Sequence, residues 1–161
     1  MIIDCHGHYT TTPPGVAAWR DAQKEALAAD PDHISSKGMM AVSDNEIRES
    51  IETNQLRVQQ ERGTDVTVFS PRASWMGHHV GNASTSQAWT EHCNDLIRRV
   101  CDLFPTNFVP VCQLPQSPQT PIETSITELR RCVEEMGFIG CNLNPDPSGG
   151  YWKDLPLGDK Y

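Results

Sequence analysis

Residues 43–69, SDNEIRESIETNQLRVQQERGTDVTVF, hold one complete helix–turn–strand unit, and its reading sets the fold. Ser43 and Glu46 stand at capping-box spacing, where hydroxyl and carboxylate satisfy the orphan amides of a helix start. Ile47, Ile51 and Val58 then recur near one helical face, and Gly63 supplies the stop. Val66-Thr67-Val68-Phe69 follows directly. Its continuous apolar and β-branched character suits a parallel strand covered on both faces.

The same alternation extends in both directions. Upstream, Met1 to Cys5 reads as a short buried strand ending at His6-Gly7-His8. Pro13, Pro14 and Gly15 interrupt regular structure, Val16 to Ala29 reads as a helix, and Asp30 to Val42 as a loop without periodicity. Downstream, Trp89, Cys93, Leu96, Ile97, Val100 and Phe104 form the apolar stripe of a helix that stops before Pro105. Phe108 to Leu114 is the third strand. Thr120, Pro121 and Glu123 repeat a helix-start signal, with Thr120 as the capping hydroxyl and Pro121 as the first helical residue. Ile122, Ile126, Leu129, Val133 and Met136 are the predicted buried face, and Gly137 ends that helix before a fourth strand, Phe138 to Leu143.

Strand, helix, strand, helix, strand, helix, strand implies right-handed crossovers and a parallel sheet, so the fold class is α/β. A complete eight-stranded barrel typically needs about 250 residues, and the 161 residues here hold roughly half the units. Residues 1–161 are therefore expected to form the amino-terminal part of one (β/α)8 barrel domain, about four strands of it, with the chain ending mid-fold. Half a barrel leaves an open inner wall and exposed strand edges, which call for a complementing carboxy-terminal half or an oligomeric partner. A finished, open doubly wound sheet is the alternative.

Composition narrows the function. With 13 Lys+Arg against 21 Asp+Glu the net charge is −8, which disfavours gripping a phosphate backbone. No apolar run approaches the roughly 18 residues that cross a bilayer, and Met1 leads into Ile2-Ile3-Asp4 without a basic leader, so a cytoplasmic protein is expected. Cys5, Cys93, Cys101, Cys112, Cys132 and Cys141 include no C-x-x-C pair and read as reduced core residues, with a disulfide framework as the alternative.

His6 and His8 carry the clearest chemical signal. Residues two apart share one side of a strand, so both imidazoles can address one divalent metal, with small Gly7 between them. Two such ligands do not complete a catalytic site, which usually has three protein ligands and an open position. Just past the second strand, Arg72 and Ser70 are placed to clamp a carboxylate. A surface ion pair is the plainer reading of Arg72. His78 and His79 lie farther along that loop, and Asn142 and Asn144, two apart at the fourth strand's end, can offer amide groups to a ligand.

Four blocks together resemble the amidohydrolase superfamily, in the branch that includes aminocarboxymuconate semialdehyde decarboxylase. They are Ile2-Ile3-Asp4-Cys5-His6-Gly7-His8-Tyr9, Phe69-Ser70-Pro71-Arg72-Ala73-Ser74, Leu114-Pro115-Gln116-Ser117-Pro118, and residues 137–147, Gly137 to Pro147. The resemblance implies a zinc-dependent lyase of the protocatechuate 4,5-cleavage route. Such an enzyme adds water across the double bond of an unsaturated oxo-tricarboxylate, 4-oxalomesaconate, to give 4-carboxy-4-hydroxy-2-oxoadipate. By that likeness His6 and His8 are metal ligands and Arg72, with Ser70, a substrate-carboxylate contact. Asn142 and Asn144 are further candidates for substrate contact. The remaining metal ligands and the acid/base residues are expected in a second half-barrel, without which the chain should have little activity. A metal-dependent hydrolase or decarboxylase, or a non-catalytic scaffold, are the competing expectations.

Overall fold

The computed structural model describes residues 1–72, 80–117 and 120–144. Strands and helices alternate: β1 Ile3–Tyr9, α1 Pro14–Ala29, α2 Asp44–Ile51, α3 Arg57–Glu61, β2 Val66–Pro71, α4 Ala83–Leu103, β3 Phe108–Pro110, β4 Cys112–Gln113, α5 Ile122–Arg130 and β5 Cys141–Asn142. Every strand pairing among the described residues is parallel: β1 with β2, β2 with β3, and β4 with β5.

The third predicted strand is split at Val111 into β3 and β4, yet the layer continues across the break. Val111 N donates to Phe69 O at 2.9 Å, Ile139 N to Pro110 O at 3.0 Å, and Cys112 N to Gly140 O at 3.0 Å. The four predicted strands thus lie side by side in chain order, as successive β/α units of a barrel wall do. The first strand runs to Tyr9, farther than the Met1 to Cys5 expected from its apolar residues, and the Met1 to Cys5 stretch is exposed rather than buried. Backbone pairing with β2 carries it through the polar His-Gly-His segment.

The capping box at Ser43 forms as read: Ser43 N donates to Glu46 Oε2 at 2.8 Å, and Glu46 N to Ser43 Oγ at 3.3 Å. The Ser43 amide, and the Ser43 hydroxyl at 2.7 Å, both donate to the Glu46 carboxylate and hold it below its usual range. The single predicted helix over 43–63 is interrupted by a π-helical turn, Glu52–Leu56. After it, the fully buried position passes from Val58 to Gln59. The Gln59 amide donates to Asn107 O at 3.0 Å and Asp65 O at 3.3 Å, tying helix to strand ends.

Most of the core hangs from α4. Trp89, Cys93, Leu96, Ile97 and Val100 are buried as predicted, and they pack with Phe69, Phe104 and Phe108 in one cluster. On the other side α1 leans its Trp19 ring on Trp89 and His92, with centroids 5.2 and 4.5 Å away.

The last helix departs from its sequence reading. Ile126 and Val133 are 47% and 44% exposed, whereas Ser125, Glu128 and Cys132 are buried. A polar network decides the rotation. Glu128 Oε1 accepts from Asn94 Nδ2 at 2.7 Å and from Arg131 at 2.8 Å, while Arg131 also reaches Asp95 at 2.8 Å. Burying that carboxylate with its partners outweighs two aliphatic side chains, because an unpaired buried charge costs more than their exposure. At the start of α5, Pro121 is the N-cap without a side-chain bond, and the Thr120 hydroxyl pairs with Ser117 rather than capping the helix.

All six thiols are free, with Cys93, Cys101, Cys112 and Cys132 buried and Cys5 exposed. Among the described residues no helix is long and apolar enough to cross a membrane.

Candidate metal and substrate site at the strand tips

The carboxyl ends of β1, β2 and β5 meet at one point. Between Asp4 and Gly7 the β1–β2 register slips: three steps along β1 match the two from Thr67 to Phe69 on β2. Such a bulge bends a strand and re-aims the side chains that follow. The Asp4 carboxylate accepts from His6 N at 3.1 Å inside it. Gly7 is required there. A β-carbon would stand 2.3 Å from Thr67 Cγ2, so only the bare backbone lets the two strands close between the histidines.

His6 and His8 come together as read. Their rings meet edge to face at 4.6 Å, and the two Nε2 atoms are 3.0 Å apart. Two nitrogens at that spacing can each lie about 2.0–2.1 Å from one cation, so the pair fits a shared divalent metal. The far nitrogen of His8 is fixed as well: Nδ1 lies 2.8 Å from Ser70 Oγ and 3.3 Å from Pro71 O. A carbonyl oxygen can only accept, so Nδ1 carries the proton and the Nε2 lone pair is not spent on one. Burial first, then the neighbouring His6, lowers the His8 pKa and favours this neutral ring. Among the described residues no set of three His, Cys, Asp or Glu side chains surrounds a common point.

Arg72 follows β2 directly, is exposed, and adds its positive charge to the field at His8. Ser70, facing His8 in register, is 2% exposed and donates to Gly7 O at 3.1 Å. Asn142, on β5, reaches Ser70 Oγ at 2.8 Å. The two asparagines therefore have different surroundings. Asn144 is held through its backbone N, which donates to Gln116 Oε1 at 2.7 Å. His78 and His79 lie outside the described residues.

Three contributors escaped the sequence reading: the Asp4 carboxylate, the buried Gln116 side chain, and the steric demand on Gly7. The last had a signal in the sequence, a glycine between two ligand-type residues on a strand. Tyr9, next along β1, points away into the core. Its hydroxyl meets Ser50 Oγ at 2.5 Å, and burial pushes its pKa up to about 12.

Parallel strands with crossover helices and a histidine pair at the strand tips define the class. The amidohydrolase family matches residues 3–161, and the chain belongs to that family. Its architecture is that of the amidohydrolase β/α barrel, of which it covers part. Among its relatives is 2-keto-4-carboxy-3-hexenedioate hydratase of Sphingobium sp. (strain NBRC 103272 / SYK-6). The two are 55% identical over 161 residues, which is 100% of this chain and 46% of that protein. The crystal structure of 4-oxalomesaconate hydratase from Rhodopseudomonas palustris superposes at a TM-score of 0.83 and 48% identity, over 98% of this chain and 45% of that one. A dihydroxybenzoic acid decarboxylase from Polaromonas sp. JS666, solved with bound manganese, shares the fold at a TM-score of 0.54 and 20% identity, over 89% of this chain and 38% of that one. The chain spans just under half the length of the two hydratases.

Proposed function

We propose that this chain supplies the first half of the active site of a zinc-dependent hydratase acting on 4-oxalomesaconate. Water is added across the carbon–carbon double bond: the hydroxyl goes to the alkene carbon that bears no hydrogen, the proton to its neighbour, and the product is 4-carboxy-4-hydroxy-2-oxoadipate. The observation that carries this reading is the His6–His8 pair, with its ligand nitrogens 3.0 Å apart, in a chain 55% identical to a hydratase of this kind.

The roles follow from the chemistry of each group. A divalent cation, when bound, supplies Lewis acidity toward a carbonyl, a carboxylate or water. His6 and His8 hold it as neutral imidazoles. Arg72, exposed at the mouth, pairs with one substrate carboxylate, where a planar guanidinium offers two parallel donors. Asn142 and Asn144 border the same strand ends and remain candidates for the other polar groups of the substrate. The further metal ligands and the groups that move protons are contributed from outside the described residues. β1 pairs only with β2 among the described strands, and Ile2 and Ile3 at its start are 57% and 54% exposed, which favours a complementing half-barrel over that wall.

The test is to give the protein at its natural length 4-oxalomesaconate and follow both double bond and carbon dioxide. Loss of the conjugated double bond with no gas released, dependent on bound zinc, is expected. Carbon dioxide release would replace hydration by decarboxylation, and no turnover by the zinc-loaded protein would overturn the substrate.

A further inference from the structure

We propose that Ser70 and Asn142 are positioning residues: together they lock His8 in the tautomer that presents Nε2 to the cation. The inference deepens the cation-binding reading above and rests on it.

The hydrogen bonds around Ser70 have one consistent assignment of protons. Ser70 Oγ lies 3.1 Å from Gly7 O, which has no proton to give, so the single hydroxyl hydrogen is spent there. The Ser70 oxygen must then accept from its two other neighbours. Asn142 Nδ2 at 2.8 Å is a donor. His8 Nδ1, also at 2.8 Å, must therefore be a donor too. Pro71 O, 3.3 Å from the same nitrogen, demands the same proton independently. Ser70 is 2% exposed, which shields this arrangement from competing water.

The lock also spans the sheet. His8 and Ser70 face each other in the β1–β2 register, whereas Asn142 arrives from β5, 72 residues farther along the chain than Ser70. Docking of the fourth strand thus orients a ligand on the first. With its hydrogen given to Gly7 and its lone pairs to Asn142 and His8, the Ser70 hydroxyl has nothing left for a substrate carboxylate, and that contact falls to Arg72. The Asn142 side chain makes no other hydrogen bond among the described residues, so its amide oxygen is still available to a ligand.

The experiment uses the protein at its natural length, labelled with nitrogen-15 histidine, together with zinc titrations of wild type, Ser70→Ala, Ser70→Thr, Asn142→Leu and His8→Ala. In the metal-free wild type, His8 should show a protonated Nδ1 and a bare Nε2. Ser70→Ala should mix the tautomers and weaken zinc binding about 10–100-fold, the range typical of groups that orient a metal-bound histidine. Ser70→Thr should restore both signals, and Asn142→Leu should give a smaller shift in the same direction.

A wild-type His8 protonated at Nε2 overturns the proposal, whether or not any variant folds. So does a folded Ser70→Ala protein with unchanged tautomer and zinc affinity and a raised KM, which would return Ser70 to the substrate. Wild type that binds no zinc, or His8→Ala that keeps full affinity, sinks the cation reading instead. The tautomer signal still judges the lock in that case.

Discussion

The strand tips and the layer beneath them are built on opposite terms. At the tips, His6, His8, Ser70 and Asn142 spend their polar atoms on one another, and three strands are pinned by bonds of 2.8–3.1 Å around one hydroxyl. A few residues below, Phe69, Ile97, Val100 and Phe108 are buried side chains with no polar atoms to place. The tip specifies an orientation and contributes little burial. The core contributes burial, each such side chain stabilising by about 1.5–3 kcal/mol, and leaves the orientation of the tip unset. Substitutions should therefore separate the two: tip changes move cation binding, and core changes move the unfolding free energy.

The largest effect expected is at the tip. Replacing both His6 and His8 with Ala should abolish cation binding measured by metal analysis, while the thermal midpoint of the metal-free protein barely moves. Ile97→Ala is the mirror experiment. It removes a side chain that is 1% exposed, and denaturant unfolding should show a loss of about 2–5 kcal/mol with zinc affinity per folded molecule unchanged. Gly7→Ala crosses the boundary. Its β-carbon meets Thr67 Cγ2 at 2.3 Å, and relieving that overlap should cost about 1–3 kcal/mol and weaken zinc binding as well. If affinity survives, the bulge does not aim the histidines.

A smaller effect belongs to His92, stacked on Trp19 in the helical layer. Burial lowers its pKa to about 4, and its Nε2 has no hydrogen-bond partner among the described residues. The unfolded ring, with a pKa near 6.5, takes up a proton more readily than the folded one. Stability from this residue is thus present above about pH 6.5 and is lost as pH falls toward about 4, by about 3 kcal/mol in all. His92→Phe should flatten that slope in chemical unfolding of metal-free protein. Smallest is Ser43→Ala, which removes the capping hydroxyl and should cost about 1 kcal/mol without touching zinc binding.

The core was the more legible of the two regions. The α4 stripe is an unbroken run of apolar residues at helical spacing, and nothing polar on that helix outcompetes it. In α5 the same logic misplaces Ile126 and Val133, since the buried face is chosen by Glu128 and Arg131, whose respective partners Asn94 and Asp95 lie more than 30 residues back in the chain. Local spacing cannot report such a partner. At the tips, strand alternation suffices to pair His6 with His8. The contacts that hold them are invisible to it: the slip at Asp4, the Ser70 hydroxyl 62 residues from His8, and Asn142 beyond that. Ser70 and Arg72 look alike as polar residues after a strand, and only burial separates a committed hydroxyl from an exposed guanidinium.

The most direct test is a crystal of the zinc-loaded protein at its natural length, with anomalous data on both sides of the zinc edge. One peak about 2.0–2.1 Å from the Nε2 atoms of both His6 and His8 is predicted. A peak that touches neither ring, or two imidazoles turned away from each other around a fully bound zinc, would contradict the account.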